Sequence, residues 1–486
     1  MSAAEVRAAL IEALPPNTSL SGGSPELRHV YVPPSHIRAL RLENALVIGG
    51  RGVGKSFWSA ALRDDAIRAM LGASVLGLPR TKVFSGFGEQ SEIASFPTPE
   101  AFGKLLRDGF GAYDVWQAVV GRWAAKLAGR ADSLPTDKWE NTAERVKSDP
   151  ETFAVLLESA NRTLDARDTN GLIVFDALDR ASDDWATMDN IVRDLLRVVL
   201  KLMPFKRLHA KAFLREDQYD GRLVTTFPDA SKLQANRVEL TWAPHDLHGL
   251  LWQYLLNAEK PNGEILRQVC QATIGVTVAK DQSGVWQVPA DAKRESEGQK
   301  HLFEALAGQY MGRDRRRGFT YSWSVGHLAD ARGRTSPRSF LAGIREAAED
   351  SRERYPDHSL PLHYESIKRG VQKASAIRVN EMVEDYPWVK TALRPLEGQV
   401  VPCEFSVIEQ RWRQDPGDAG VLRNPGKLPP EHVADSWPGV RKDLFALGVF
   451  EQMKDGRVNM PDLYRVGFGL GRRGGVKPMA KGPAQT

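Results

Sequence analysis

At positions 49–58 the chain reads GGRGVGKSFW. Gly49, Gly54, Lys55 and Ser56 occupy the fixed places of the pattern G-x-x-x-x-G-K-[ST]. Glycines at that spacing let consecutive backbone N–H groups curl around phosphate oxygens. A helix starting at Lys55 would add the positive end of its dipole. Gly49, Gly50, Arg51, Gly52, Val53, Gly54, Lys55, Ser56 and Phe57 are therefore the candidate cradle for the phosphates of ATP. Lys55 is expected to reach the β- and γ-phosphates, and the Ser56 hydroxyl to ligate Mg²⁺.

Such a cradle needs a second oxygen ligand for the metal, and the chain supplies one at 171–180, GLIVFDALDR. Leu172 to Phe175 form an unbroken apolar run, as expected of a strand buried on both faces. Asp176 follows at its C-terminal end, where open α/β sheets bind ligands, so it is assigned to Mg²⁺ together with Ser56. Asp179, three residues on, is a candidate general base for the attacking water. The alternative role for Asp179 is to cap the helix that begins near DDWATMDN.

Elements must hold these groups. NALVI before the glycine loop reads as a short buried strand, and SFWSAALRDDAIRAML after it has helical apolar spacing at Phe57, Ala60, Ala61, Ile67 and Met70. TKVFSGFG (81–88), LHAKAFLRED (208–217) and NRVELTW (236–242) are three more strand candidates. Arg215, near the end of the second of these, is placed to sense a γ-phosphate. Strands alternating with helices predict a parallel, doubly wound α/β sheet of the P-loop NTPase kind.

The chain has 486 residues, too many for one core, and about two to four domains are expected. With 42% hydrophobic and 26% charged residues it has an ordinary globular composition. No run of 18 apolar residues occurs, and MSAAEVRAALIEALPP has no basic flank before an apolar core, so a cytoplasmic protein is expected. Cys270 and Cys403 are too few for a disulfide framework or a zinc site. The net charge of +5 is unevenly spread. Met311–Phe340 carries seven arginines against two aspartates, interleaved with Phe319, Tyr321, Trp323 and Phe340, and the end of the chain holds Arg472, Arg473, Lys477 and Lys481. Such segments attract phosphates, which makes double-stranded DNA a candidate partner.

VIGGRGVGKS, LIVFDALDR and AFLRED together resemble the AAA+/STAND superclass of P-loop ATPases. The Asp-Ala-Leu-Asp form of the acid motif is similar to that of the bacterial KAP and NACHT-like branches. The resemblance, over about residues 26–350, implies ATP and Mg²⁺ as ligands, a helical lid, and assembly with further copies or with separate effector and sensor proteins. It also implies service in systems such as anti-phage defence. Within GRTSPRSFLAGIREAAEDS (333–351), Arg338 is implied as a second sensor arginine, with Arg334 as its rival. Arg313–Arg317 are one candidate for an arginine acting on a neighbouring subunit. Many relatives carry a glutamate beside one of the two aspartates. Here Ala177 and Arg180 stand there, and slow turnover is implied.

The remaining organisation is read from pattern. Residues 1–25 form an N-terminal segment. The ATPase domain takes 26–245, with a helical insertion at about 89–165. A helical lid covers 246–387, including DLHGLLWQYLLNAEK with Asp246 as a possible N-cap and a helix at about 364–387. At 388–470, helices followed by VFEQM, Asp455-Gly456 and RVNMP predict a winged-helix-like domain, and 471–486 form a basic tail. The helix at 431–447 carries Glu431, Asp435 and Asp443 against His432, Arg441 and Lys442, which favours a packing role over DNA reading. The alternative function is a DNA-associated ATPase, an origin-recognition-like loader or transposition regulator.

Overall fold

The computed structural model describes residues 1–16, 25–219, 226–423, 427–474 and 476–478. Two compact units result, one around Val32–Thr241 and one from Trp242 onward, to which Arg28–Tyr31 and the helix Ala3–Ala13 belong.

The first unit is built on five parallel strands, β1 (Leu46–Ile48), β2 (Thr81–Phe87), β3 (Asn170–Phe175), β4 (Leu208–Leu214) and β5 (Arg237–Glu239), in the order β2-β3-β4-β1-β5. All five expected strands are present, and β2 lies at an edge. Val47 pairs with Phe213 on one side and Val238 on the other. β1 and β3 are buried along their whole length, which explains why they read as apolar runs. The chain runs one way across the sheet from β1 to β2 and the other way from β2 through β3 and β4. Right-handed crossovers then place the helix Lys55–Arg63 on one face and the helices after β2 and β3 on the other. The sheet is doubly wound.

Between β2 and β3 stand the helices Pro99–Arg107, Ala112–Ala128, Trp139–Ser148 and Pro150–Ala166. Their apolar faces share one core with β3, β4 and the helix Trp185–Leu202. Trp116 sits at its centre, edge-on to Phe87 and Phe175, while its indole N–H donates to the Ile191 carbonyl at 2.9 Å. The helix expected after the glycine loop is broken. It ends at Arg63, and Asp64, in extended backbone, caps a second helix, Asp65–Leu71, by accepting from the Ile67 N–H at 3.0 Å. A side-chain cap satisfies a backbone donor that continuing the first helix would have used internally.

The second unit is largely helical, with Pro244–Leu256, Asn262–Ile274, Glu297–Ala307, Thr320–His327, Pro337–Arg354 and Tyr364–Asp385. Asp246 is not an N-cap. Ala243 holds that position, and Asp246, buried in the first turn, accepts a hydrogen bond from the Tyr31 hydroxyl at 3.2 Å. Helices Pro337–Arg354 and Tyr364–Asp385 touch backbone to backbone at two glycines. A Cβ on Gly370 would lie 2.1 Å from the Gly343 carbonyl oxygen.

The winged-helix-like part follows as helix Pro387–Leu393, an extended stretch bridging Cys403 to Val458, helices Phe405–Gln414 and Ser436–Ala446, and the antiparallel pair β6 (Glu451–Gln452) and β7 (Val458–Asn459). Asp455-Gly456 makes the turn, with Gly456 at φ 89°. Trp412 stacks on Trp437 at 5.0 Å and on Phe450 at 6.3 Å, which joins the helices to the hairpin. The helix expected at 431–447 begins at Ser436. Of the charges read on this helix, Asp443 is buried and lies 2.6 Å from His432 Nδ1. Gly471 bridges Val400, the Lys477 carbonyl accepts from Gln372, and Val476 is buried. Lys481 lies outside the described residues. Among the described residues no helix is long and apolar enough to cross a membrane.

Candidate functional site

The glycine loop joins the C-terminal end of β1 to the N-terminus of helix Lys55–Arg63. Gly49 donates its N–H to the Leu214 carbonyl at 3.1 Å, extending the β1–β4 ladder by one residue. A Cβ at Gly49 would sit 2.7 Å from Val53 Cγ2 and 3.3 Å from Leu240 Cβ, so no larger residue fits. Gly54, at φ 106°, opens the helix in a conformation that L side chains rarely adopt. Arg51, Gly52 and Val53 form the partly exposed arch between these glycines, and Gly50 begins it. Ser56 is exposed at the helix start, and Phe57 is half-buried edge-on to Trp58.

Lys55 folds back over the loop, its Nζ donating to the Gly49 and Gly50 carbonyls at 2.8 Å each. Part of its side chain reaches solvent while the ammonium is packed among protein atoms. That enclosure, and then the neighbouring Arg215, push its pKa down to about 8. Asp176, Asp179 and Asp217 pull the other way. Three carboxylates and one guanidinium therefore surround the lysine.

Asp176 directly follows β3, and its N–H donates to the Phe87 carbonyl at 3.0 Å. Burial raises its pKa, opposed by a hydrogen bond from the Ser56 hydroxyl, by the Ala177 backbone and by Lys55. Ser56 and Asp176 are thus brought together, as two hard oxygen donors of the kind Mg²⁺ takes. Ala177 follows in the left-handed region at φ 55°, a strained state for alanine. It turns the chain into the short 3₁₀ segment Leu178–Arg180. Asp179 is not a helix cap. Asp184 caps helix Trp185–Leu202 by accepting from Thr187, and Asp179 faces Arg215, 3.7 Å from its guanidinium.

Arg215 stands one residue beyond β4. Its Nε and Nη2 grip both oxygens of Asp217 at 3.1 Å. The turn Glu216–Tyr219 makes this possible, since Gln218 Oε1 accepts from the Arg215 N–H at 3.0 Å. Two acids here went unassigned from the sequence, Asp217 and Glu216. Glu216 approaches the loop so closely that a Cβ on Gly50 would lie 3.8 Å from its Oε1. Their signal was present as RED directly after an apolar strand.

Two buried groups hold the frame around the loop. The His36 ring takes the Trp58 indole N–H on Nδ1 at 3.0 Å and reaches the Thr241 carbonyl from Nε2 at 3.0 Å. It is therefore the neutral Nε2–H tautomer, and burial lowers its pKa to about 4. Lys211, fully buried on β4, donates to the carbonyls of Ala39, Arg41 and Asn44 at 2.6 to 3.0 Å. Those acceptors lie at the end of helix Pro34–Leu40 and in the chain leading to β1, so Lys211 staples the approach to the loop.

The second unit contains the remaining assigned arginines. Arg338 is ion-paired with Glu381 at 2.7 Å, and Arg334 with Asp330 at 3.5 Å. Arg332 donates to the Ala446 carbonyl at 2.8 Å, at the end of helix Ser436–Ala446. The other four arginines are arranged differently. Tyr310 and Phe319 pair across a short hairpin, with Met311 N–H donating to Gly318 at 2.9 Å. Its tip exposes Arg313, Arg315, Arg316 and Arg317. The one acid there, Asp314, accepts from the Arg316 N–H at 2.9 Å, and among the described residues none of these four guanidinium groups has an acidic partner.

No protein-family model matches the chain, and no curated protein matches it. Among solved structures, it is similar to the Aeropyrum pernix ORC2 protein in its ADPNP-ADP complexes, with 10% identity, a TM-score of 0.41, and 92% of this chain and 93% of that chain covered. It is also similar to CDC6p from Pyrobaculum aerophilum, with 10% identity, a TM-score of 0.32 and the same coverage. The Aeropyrum pernix ORC1 protein in complex with DNA matches at 14% identity and a TM-score of 0.34, over 94% and 93% of the two chains. These are likenesses of outline, and the functional reading rests on the geometry of this chain.

Proposed function

We propose that the chain is an ATP-binding and ATP-hydrolysing molecular switch of AAA+/STAND type. The observation that carries this reading is the meeting of three elements at one end of the sheet. Lys55 is folded onto the glycine loop, Ser56 lies near Asp176, and Arg215 is drawn toward Asp179. In this reading the loop N–H groups from Gly50 to Ser56 and the Lys55 ammonium hold phosphate oxygens. Ser56 and Asp176 hold Mg²⁺, which when bound neutralises charge on the phosphates. Asp179 orients water as general base, and Arg215 meets the terminal phosphoryl group. Arg338 is the proposed second sensor and would have to leave Glu381 to act. With no glutamate beside either aspartate, turnover is expected to be slow.

The test is ATP affinity and hydrolysis of the purified chain with and without Mg²⁺, beside Lys55→Ala and Asp176→Asn. Lys55→Ala should lose ATP binding, and Asp176→Asn should lose the Mg²⁺ dependence. Wild-type affinity in Lys55→Ala overturns the reading.

A second observation favours a DNA-associated form of this switch. Among the described residues, the four exposed arginines of the hairpin at 310–319 have no acidic partner. The exposed side of helix Ser436–Ala446 offers Lys442, its Asp443 being buried. Both suit the phosphates of duplex DNA. Hydrolysis stimulated by double-stranded DNA, with an ATP-dependent rise in mass in solution, would support it. Turnover indifferent to DNA would leave a switch that answers to protein partners.

A further inference from the structure

Arg215 is held by a carboxylate two residues away in its own turn. Asp217 presents both oxygens to Nε and Nη2 at 3.1 Å, the two-toothed geometry that a guanidinium offers to carboxylate and phosphate alike. Arg215 and Asp217 are mostly buried, at 12% and 20% side-chain exposure, so the pair is shielded from bulk water. Asp179 approaches the third nitrogen at 3.7 Å. Lys55 lies close enough to feel Arg215 and all three aspartates.

We infer that Asp217 is a specificity-determining residue that competes with the terminal phosphoryl group for Arg215 and so sets the preference of the site for ATP over ADP. The inference rests on the nucleotide reading above. Asp217 fills the Nε/Nη2 edge of the guanidinium, and Asp179 stands 3.7 Å from Nη1 at the other edge. A terminal phosphoryl group drawing on Arg215 would meet a carboxylate at either edge and weaken the Arg215–Asp217 pair, whereas ADP would leave that pair intact. Part of the affinity that Arg215 gives to ATP is then spent on opening this pair, and the pair re-forms when the terminal phosphate leaves. A ligand shifts such an equilibrium only by its differential affinity for the two states, and only the triphosphate has that difference. The alternative is that Asp217 is a positioning residue that aims Arg215 at the phosphate. The two roles differ in sign.

The experiment is calorimetric titration of the full chain with ATP and with ADP, for wild type, Asp217→Asn, Arg215→Ala and the double variant. Removing the charge of Asp217 should tighten ATP by about 5- to 10-fold while ADP changes by less than about 2-fold, the lower range of measured coupling between sites. In the Arg215→Ala background the same change should do nothing to the ratio. Asp217→Glu keeps a carboxylate and should stay near the wild-type ratio, which serves if the asparagine variant does not fold. An unchanged or lowered preference for ATP in Asp217→Asn overturns the inference, as does a raised preference that persists without Arg215. If wild type binds neither nucleotide and Lys55→Ala changes nothing, it is the nucleotide reading that fails. If wild type and Lys55→Ala behave as expected and the ratio does not move, only the role of Asp217 fails.

Discussion

The cations around the glycine loop and those of the arginine hairpin are used in opposite ways. In the first unit Lys55, Lys211 and Arg215 are enclosed, and each is met by carbonyls or carboxylates within its own fold. In the hairpin at 310–319, Arg313, Arg315, Arg316 and Arg317 project from a turn whose one acid is occupied with a backbone N–H. A buried charge without partners costs several kcal/mol, so the sheet surrounds its cations with oxygen. A solvated charge costs little, so a hairpin can leave four of them open to a partner. Enclosed cations are expected to set stability and affinity at the loop, and projecting ones to set attraction over distance.

Four measurements would break or sharpen that contrast. The largest effect is expected from Arg315→Glu, Arg316→Glu and Arg317→Glu together. If each arginine meets one DNA phosphate, the slope of log affinity on log salt falls by about 2.7, and duplex binding at moderate salt is lost. Its melting temperature should not move, and a large drop would place these side chains inside the fold's own energetics. Next is Lys211→Met, which removes three donors at once and leaves three buried carbonyls. A loss of about 3 kcal/mol in denaturant unfolding is expected, and a neutral result would deny the staple. Gly370→Ala tests the frame of the second unit. The added methyl meets backbone, which cannot step aside, and about 2 kcal/mol of stability should be lost. The smallest effect concerns Lys55. With its pKa lowered to about 8 it is charged at pH 7 and loses its proton as pH rises through that value. Bound phosphate favours the charged form, so ATP affinity should fall about tenfold per pH unit above 8, or about 1.4 kcal/mol. A flat profile from pH 7 to 9 would show that the ammonium is not what the phosphates meet.

Much of the site could be read from the chain because its chemistry is local. Gly49, Gly54, Lys55 and Ser56 lie within eight residues, and a strand buried on both faces announces Asp176 by its uninterrupted apolar run. The Asp455-Gly456 hairpin was equally plain, since a turn residue at φ 89° demands glycine. What could not be read depends on partners far away in sequence. Asp246 has the spacing of a cap, yet Tyr31 claims it from 215 residues away. Asp443 counts as surface charge in a helical pattern until His432 is seen to cover it. Lys211 looks like the polar half of an alternating strand, and only the chain before β1 explains its burial. Asp217 was missed for a different reason. The turn that returns it to Arg215 depends on a hydrogen bond from the Arg215 backbone N–H to Gln218.

The His36 ring has a consequence for how the chain can vary. One nitrogen accepts from Trp58 and the other donates to Thr241, on opposite edges of a rigid five-membered ring. An amide offers a donor and an acceptor too, but on one carbon and pointing the same way. A hydroxyl offers both on a single atom. No other side chain can span that gap, so position 36 should tolerate no gradual substitution. Drift at Trp58 would leave the imidazole nitrogen stranded in a dry pocket, and drift at His36 would strand the indole. The helix that follows the glycine loop is therefore tied to the chain just past β5 by a pair of residues that can change only together.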